Sequence, residues 1–157
     1  MLSYRNLQEN DCAFILQRWV GRSSIFRQGL TESELRSLVE EMNTKIHNGN
    51  YYEMLGVLND GVLIGTFSFY QRERDILENA VYLGIEISEE NRMKGFATRT
   101  VFMTFELAKE KGYAKIFSRE RVDNKASVRL HKKCGFEIIE KNLSKAGHEA
   151  YDYLYVL

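Results

Sequence analysis

Apolar residues recur along this chain with two periods, and the changes of period mark out its elements. Leu35, Leu38, Val39, Met42 and Ile46 fall on one face at helical spacing. Thr31 and Glu34 precede them with the spacing of a capping box, and His47-Asn48-Gly49-Asn50 stops the run. A second stripe, Ala97, Val101, Phe105 and Ala108, predicts a helix over 97–111 with Gly112 just past its end. Residues 12–20 read as a shorter helix behind Asn10 or Asp11, and another short helix opens at Asp123-Asn124 and ends at Gly135. The period shortens over 2–5, 51–58, 62–70, 80–87, 114–122, 136–139 and 151–157, which read as strands. Asn59-Asp60-Gly61 predicts a hairpin between the second and third of these. The run 80–87 is apolar at successive positions, as expected of a strand buried on both faces. Tyr151, Tyr153 and Tyr155 alternate and should share one face. Residues 21–30 have no period and read as a loop. The charged stretch 71–75 reads as a solvated turn, and 141–149 as a polar turn.

The resulting order is β-α-α-β-β-β-α-β-α-β-β. It predicts an α/β (mixed α+β) fold: a mixed sheet of about seven strands with about four helices on its faces, in a single domain over 1–157. The 157 residues suffice for one real core, and 44% apolar with 28% charged residues is ordinary for a soluble globular chain. The 22 basic and 22 acidic residues balance, which argues against a nucleic-acid partner. No apolar run reaches membrane-spanning length, and no signal peptide is visible at the N-terminus. Cys12 and Cys134 lack metal-ligand spacing and read as reduced, packed thiols in a cytoplasmic protein; His47, His131 and His148 are scattered and suggest no metal site.

Two polar constellations carry candidate chemistry. Between the strand at 80–87 and the helix at 97–111 lies Asn91-Arg92-Met93-Lys94-Gly95-Phe96-Ala97-Thr98. A short basic turn leading into a helix presents unpaired N–H groups to an anion, and Gly95 permits close approach. The turn lacks the Gly-Lys-Ser/Thr ending of a P-loop and the three glycines of a dinucleotide fingerprint. On the later short helix, Asn124, Ser127 and His131 fall at i, i+3 and i+7 on one face, apart from an apolar stripe of Ala126, Leu130 and Cys134.

Arg92-Met93-Lys94-Gly95-Phe96-Ala97 resembles the Arg/Gln-x-x-Gly-x-Gly/Ala turn of the GCN5-related N-acetyltransferase (GNAT) superfamily. Asn124-x-x-Ser127 through Lys133-x-Gly135-Phe136 is similar to its second motif. The resemblance implies a splayed sheet holding acetyl-coenzyme A between two strands. It implies that the amides of Met93, Lys94, Gly95, Phe96, Ala97 and Thr98, with Arg92, hold the pyrophosphate. Main chain of Ile85, Glu86 and Ile87 would pair with the pantetheine arm, Asn124 would contact that arm, and Ser127 would lie near the cofactor. The implied reaction is direct attack of a primary amine, of a small molecule or of a protein N-terminus or lysine, on the thioester.

Where many members of that superfamily carry a tyrosine that protonates the leaving thiolate, this chain has His131. An imidazole can serve as that acid, with Tyr151, Tyr153 and Tyr155 as alternatives. Glu86 is the candidate base, and Glu53, Asp75 and Glu78 are other carboxylates that could line an acceptor site. The competing reading is a non-catalytic acyl-coenzyme A sensor or regulatory module. The aromatic last strand could pair with another subunit, which leaves a homodimer open, or close the core.

Overall fold

The computed structural model describes residues 1–21, 25–144 and 146–157. In chain order the strands are β1 (Leu2–Asn6), β2 (Ile46–His47), β3 (Asn50–Asn59), β4 (Val62–Tyr70), β5 (Ala80–Ile87), β6 (Lys115–Arg121), β7 (Glu137–Leu143) and β8 (Glu149–Val156). The helices are α1 (Cys12–Arg18), α2 (Glu32–Asn43), α3 (Glu73–Leu77), α4 (Phe96–Glu110) and α5 (Lys125–Lys133). The sheet runs β1-β3-β4-β5-β6-β8-β7, with β2 paired to β3 off this path, and β5 at its centre as its apolar run predicts. β5 and β6 are parallel; the other pairs among the described strands are antiparallel.

Local chemistry explains the elements that the pattern predicts. The Glu34 amide donates to Thr31 Oγ1 and the Thr31 amide to Glu34 Oε2, both at 3.1 Å, so the capping box closes at the start of α2. Asp60 and Gly61 both take positive φ (48° and 82°), the two-residue turn that matches strand twist, and Leu58 pairs with Leu63 across it. Alternation then sorts the sheet into two faces. Leu55, Phe67, Phe69, Val81, Leu83, Ile116 and Tyr153 pack against Val101, Phe105 and Ala108 of α4 and Phe136 beyond α5. On the other face, Met54 and Tyr52 pack with Leu7, Ile15, Trp19, Leu35, Val39 and Met42 under α1 and α2.

Three expectations are corrected. The stretch 71–75 is no solvated turn: Asp75 is fully buried in α3, and its Oδ2 accepts from the Arg72 amide at 2.8 Å and from Arg72 Nε at 2.9 Å. The end of the second helix is a short strand, β2, because Lys45, Asn48 and Gly49 take positive φ and turn the chain back against β3. The polar turn read over 141–149 is shorter: β7 runs to Leu143 on pairing with β8, β8 starts at Glu149, and the turn between them includes position 145, outside the described residues. The loop at 21–30 likewise contains 22–24, outside them. The last strand, β8, is paired on both edges, by β6 and β7, and offers no free edge to a second subunit.

Asp75 gives the first prediction. Asp75→Ala removes a buried acceptor of three N–H donors of Arg72, and should lower unfolding free energy by about 1–3 kcal/mol in urea titration. Exposed Glu73→Ala, in the same helix, should stay within about 0.5 kcal/mol.

Candidate active site

β5 and β6 pair only through Ala80–Lys115, Val81–Ile116 and Tyr82–Phe117. Beyond that point β5 follows β4 as far as Ile87, and β6 follows β8 as far as Arg121. The inner edges, from Leu83 on one side and Ser118 on the other, therefore part into a V without strand partners. A cleft of about 750 Å³ fills the V, closed on one side by the start of α4 and by α5. Its charged lining is Arg92, Arg119, Arg129 and Lys133 against Glu86 and Glu120, a basic excess that suits a polyanion.

The floor of the cleft is the turn into α4. Met93 (φ 60°) and Gly95 (φ 79°) take left-handed conformations that swing the chain from the 3-10 turn at Glu89–Asn91 into the helix. Gly95 is the N-cap and supplies no capping side chain. The first backbone bond of the helix is Arg99 N–H to the Gly95 carbonyl. The amides of Phe96, Ala97 and Thr98 thus have no acceptor among the described residues, at the positive end of a 15-residue helix. A β-carbon at Gly95 would meet nothing within 4 Å, so the approach to these amides is open. Arg92 donates from Nε to the Ile87 carbonyl (3.1 Å) and from Nη2 to Glu86 Oε1 (2.9 Å) at the rim. Lys94 and Phe96 leave the lining to their neighbours: Lys94 Nζ donates to the Glu90 carbonyl, and the Phe96 ring packs against the core.

The opposite wall brings together the three polar residues of α5. Asn124 caps the helix, its Oδ1 accepting from the Ser127 amide at 3.3 Å, so its amide nitrogen is left as the donor toward the cleft. Loss of that cap in Asn124→Ala should cost about 1 kcal/mol in chemical denaturation. His131 Nδ1 lies 2.8 Å from the Ser127 carbonyl, which can only accept. Nδ1 is therefore the protonated nitrogen, and Nε2 accepts from the Ser118 hydroxyl at 2.9 Å. The ring stacks on Tyr153 at 4.2 Å and meets the edge of Phe136 at 5.1 Å. Burial holds the His131 pKa below its usual 6.5, against the opposing pull of the Ser127 carbonyl and Glu120.

The other candidates are distributed around the V. Ile85, Glu86 and Ile87 form the β5 wall, with Glu86 on the face opposite Val81 and Leu83 and its carboxylate tied to Arg92. Tyr151, Tyr153 and Tyr155 do share a face, yet none lines the cleft; Tyr153 is buried behind His131 and its hydroxyl has no partner among the described residues. Glu53 is buried between Tyr51, Lys111 and Lys45, by the far end of α4, and Asp75 and Glu78 are held by Arg72, Arg74 and Lys115. None of these three lines the cleft. Sequence reasoning missed Ser118, Arg119 and Arg129. Ser118 had a readable signal: alternation sets this small polar residue on the core-facing side with Ile116.

The family model of the acetyltransferase (GNAT) domain matches residues 2–137. No curated protein matches the chain. Among solved structures, the spermidine/spermine N-acetyltransferase SpeG from Vibrio cholerae is similar at 20% identity, with TM-score 0.79 over 99% of this chain and 92% of that one. The Salmonella typhimurium acetyltransferase that modifies the N-terminal serine of ribosomal protein L7/L12 is similar at 19%, TM-score 0.79, over 99% and 95%. The putative acetyltransferase yncA of Salmonella typhimurium, solved with its cofactor acetyl-CoA, is similar at 18%, TM-score 0.74, over 99% and 94%. At these identities the neighbours speak for the fold alone, whereas the family model spans most of the sequence: the chain belongs to the GNAT acetyltransferase family.

Proposed function

We propose that this protein is an acetyl-CoA-dependent N-acetyltransferase that moves the acetyl group directly to a primary amine. The observation that carries the reading is the uncapped start of α4 in the floor of a V-shaped gap with unpaired strand edges. The amides of residues 93–98 suit a pyrophosphate. The cleft-side main chain of Ile85, Glu86 and Ile87 suits the amide-bearing arm that follows it, and Asn124 and Ser127 face that arm from α5. Acetyl-CoA, when bound, supplies an activated acyl group. The chain's own residues orient it, donate N–H groups toward its carbonyl and move protons. His131 is the proposed source of the proton for the leaving thiolate. Glu86, the candidate base, is better suited by its pairing to holding Arg92 at the rim.

The acceptor is an amine of a small molecule or of a protein, as with the polyamine and N-terminal serine substrates named for two structural neighbours. Such a reaction suits a cytoplasmic location, where buried Cys12 and Cys134 stay reduced. Acetyl-CoA at 100 times its Kd should stabilise the protein by about 2.7 kcal/mol, seen as a raised Tm. Thiol release should follow on adding an amine from a panel that includes spermidine, a serine-initiated peptide and lysine. Binding without thiol release from any amine would instead make the chain a binding module.

A further inference from the structure

Two proton transfers must occur in the proposed reaction: the attacking amine loses one and the departing thiolate gains one. The carboxylates around the V are engaged. Glu86 is paired with Arg92, Asp152 with Arg119, and Glu120 accepts from the Arg121 amide. At the point of the V, however, a neutral imidazole nitrogen faces a serine hydroxyl. Ser118 is the first residue of β6 beyond the last pair with β5, and it lines the cleft. Its hydroxyl, 2.9 Å from His131 Nε2, connects the cleft to the one lone pair that His131 keeps, because Nδ1–H is committed to the Ser127 carbonyl. Stacking on Tyr153 and edge contact with Phe136 fix the ring so that Nε2 keeps this aim.

We propose that Ser118 and His131 form a single proton relay that acts first as base and then as acid. This rests on the acetyltransfer reading above. As the amine nitrogen bonds to the acetyl carbon, its proton passes to Ser118 Oγ while the serine proton passes to Nε2. As the carbon–sulfur bond breaks, Nε2 returns its proton to Ser118 Oγ, and the serine proton goes to the thiolate. The amine has lost one proton, the thiol has gained it, and both side chains regain their starting state. Ser118 meets the reacting atoms; His131 is the store that works through it. The resting tautomer favours this order, since an imidazole neutral at pH 7 begins as an acceptor. The titratable groups facing the ring are Tyr153 from β8, its pKa raised by burial, and Glu120 from β6, which opposes the effect of burial on His131.

The experiment measures thiol release at saturating acetyl-CoA and amine for wild type, Ser118→Ala, Ser118→Thr, His131→Ala and the Ser118→Ala/His131→Ala double variant. Acetyl-CoA binding is followed in parallel by thermal shift. A relay predicts kcat losses of about 100-fold or more in each alanine variant, in the usual range for acid–base catalysis, with binding kept. The double variant should be no worse than either single one, and Ser118→Thr should restore most of kcat. Wild-type kcat should fall as pH drops through the lowered His131 pKa, because a protonated Nε2 takes no further proton; Ser118→Ala should lack that limb. Full kcat in Ser118→Ala, or losses that multiply in the double variant, would overturn the relay alone. Wild-type protein that binds acetyl-CoA yet releases no thiol would overturn the relay and the acetyltransfer reading together.

Discussion

Gly95→Asp should weaken acetyl-CoA binding by about 100-fold or more, equivalent to about 2.7 kcal/mol, while leaving the protein folded. The β-carbon points into open space, so no clash opposes the substitution. Its conformational cost is limited to the left-handed backbone, φ 79°, at about 1–2 kcal/mol, and aspartate is among the residues that bear it best. The electrostatic cost is larger. A carboxylate at the N-cap of α4 meets the phosphate charge directly and competes for the free amides of Phe96, Ala97 and Thr98. Gly95→Asn separates the two effects, because asparagine tolerates the same backbone without the charge. Titration calorimetry should place Asn between wild type and Asp, because its side-chain oxygen can cap the same amides without the charge, and Asp far below both. Equal affinities for the two variants would mean that the phosphates bind elsewhere.

The same turn shows what the sequence makes legible. The phosphate-binding role proposed for it depends on local facts, a glycine before a helix and basic neighbours, and those survive folding unchanged. The capping box at Thr31 and Glu34 and the hairpin at Asp60 and Gly61 are legible for the same reason. The features that were missed depend on packing partners or on a pairing that hydropathy hides. β7 was legible only at its start, 136–139; its extension to Leu143 carries mostly exposed residues and exists because β8 pairs with it. Asp75 is charged, which predicts exposure, yet Arg72 three residues earlier neutralises it in a buried position. Ser118 was overlooked because its partner, His131, is 13 residues away on another element.

The cleft also depends on how α4 and α5 are held against the sheet. This involves a set of rings in which the α5 wall of the cleft and the core are one structure. Phe105 of α4 stacks on Tyr155 of β8 at 3.9 Å and contacts Phe136, and Phe136 in turn meets His131 at 5.1 Å. The imidazole is thus anchored through the core at the end of α5, a helix with no fully buried residue of its own.

Phe105→Ala is therefore expected to damage stability and geometry together. The side chain is 3% exposed and sits among residues that cannot close around it, since β8 and α4 are each held by their own hydrogen bonds. The expected loss is about 3–5 kcal/mol, the usual cost of emptying a buried phenylalanine site, out of a typical total of about 5–15 kcal/mol. At the upper end much of the chain would be unfolded near 37 °C. Phe105→Leu refills most of the volume and should cost about 1.5 kcal/mol or less. Urea denaturation of the three proteins distinguishes the outcomes: a fall in midpoint at constant m-value in the order wild type, Leu, Ala is expected. If Phe105→Ala costs less than about 1 kcal/mol, the ring stack does not couple α4 to β8. In the folded Phe105→Leu protein, acetyl-CoA binding should persist through the α4 amides. Turnover should fall with the freedom of the His131 ring, because Phe136 would lose the neighbour that braces it.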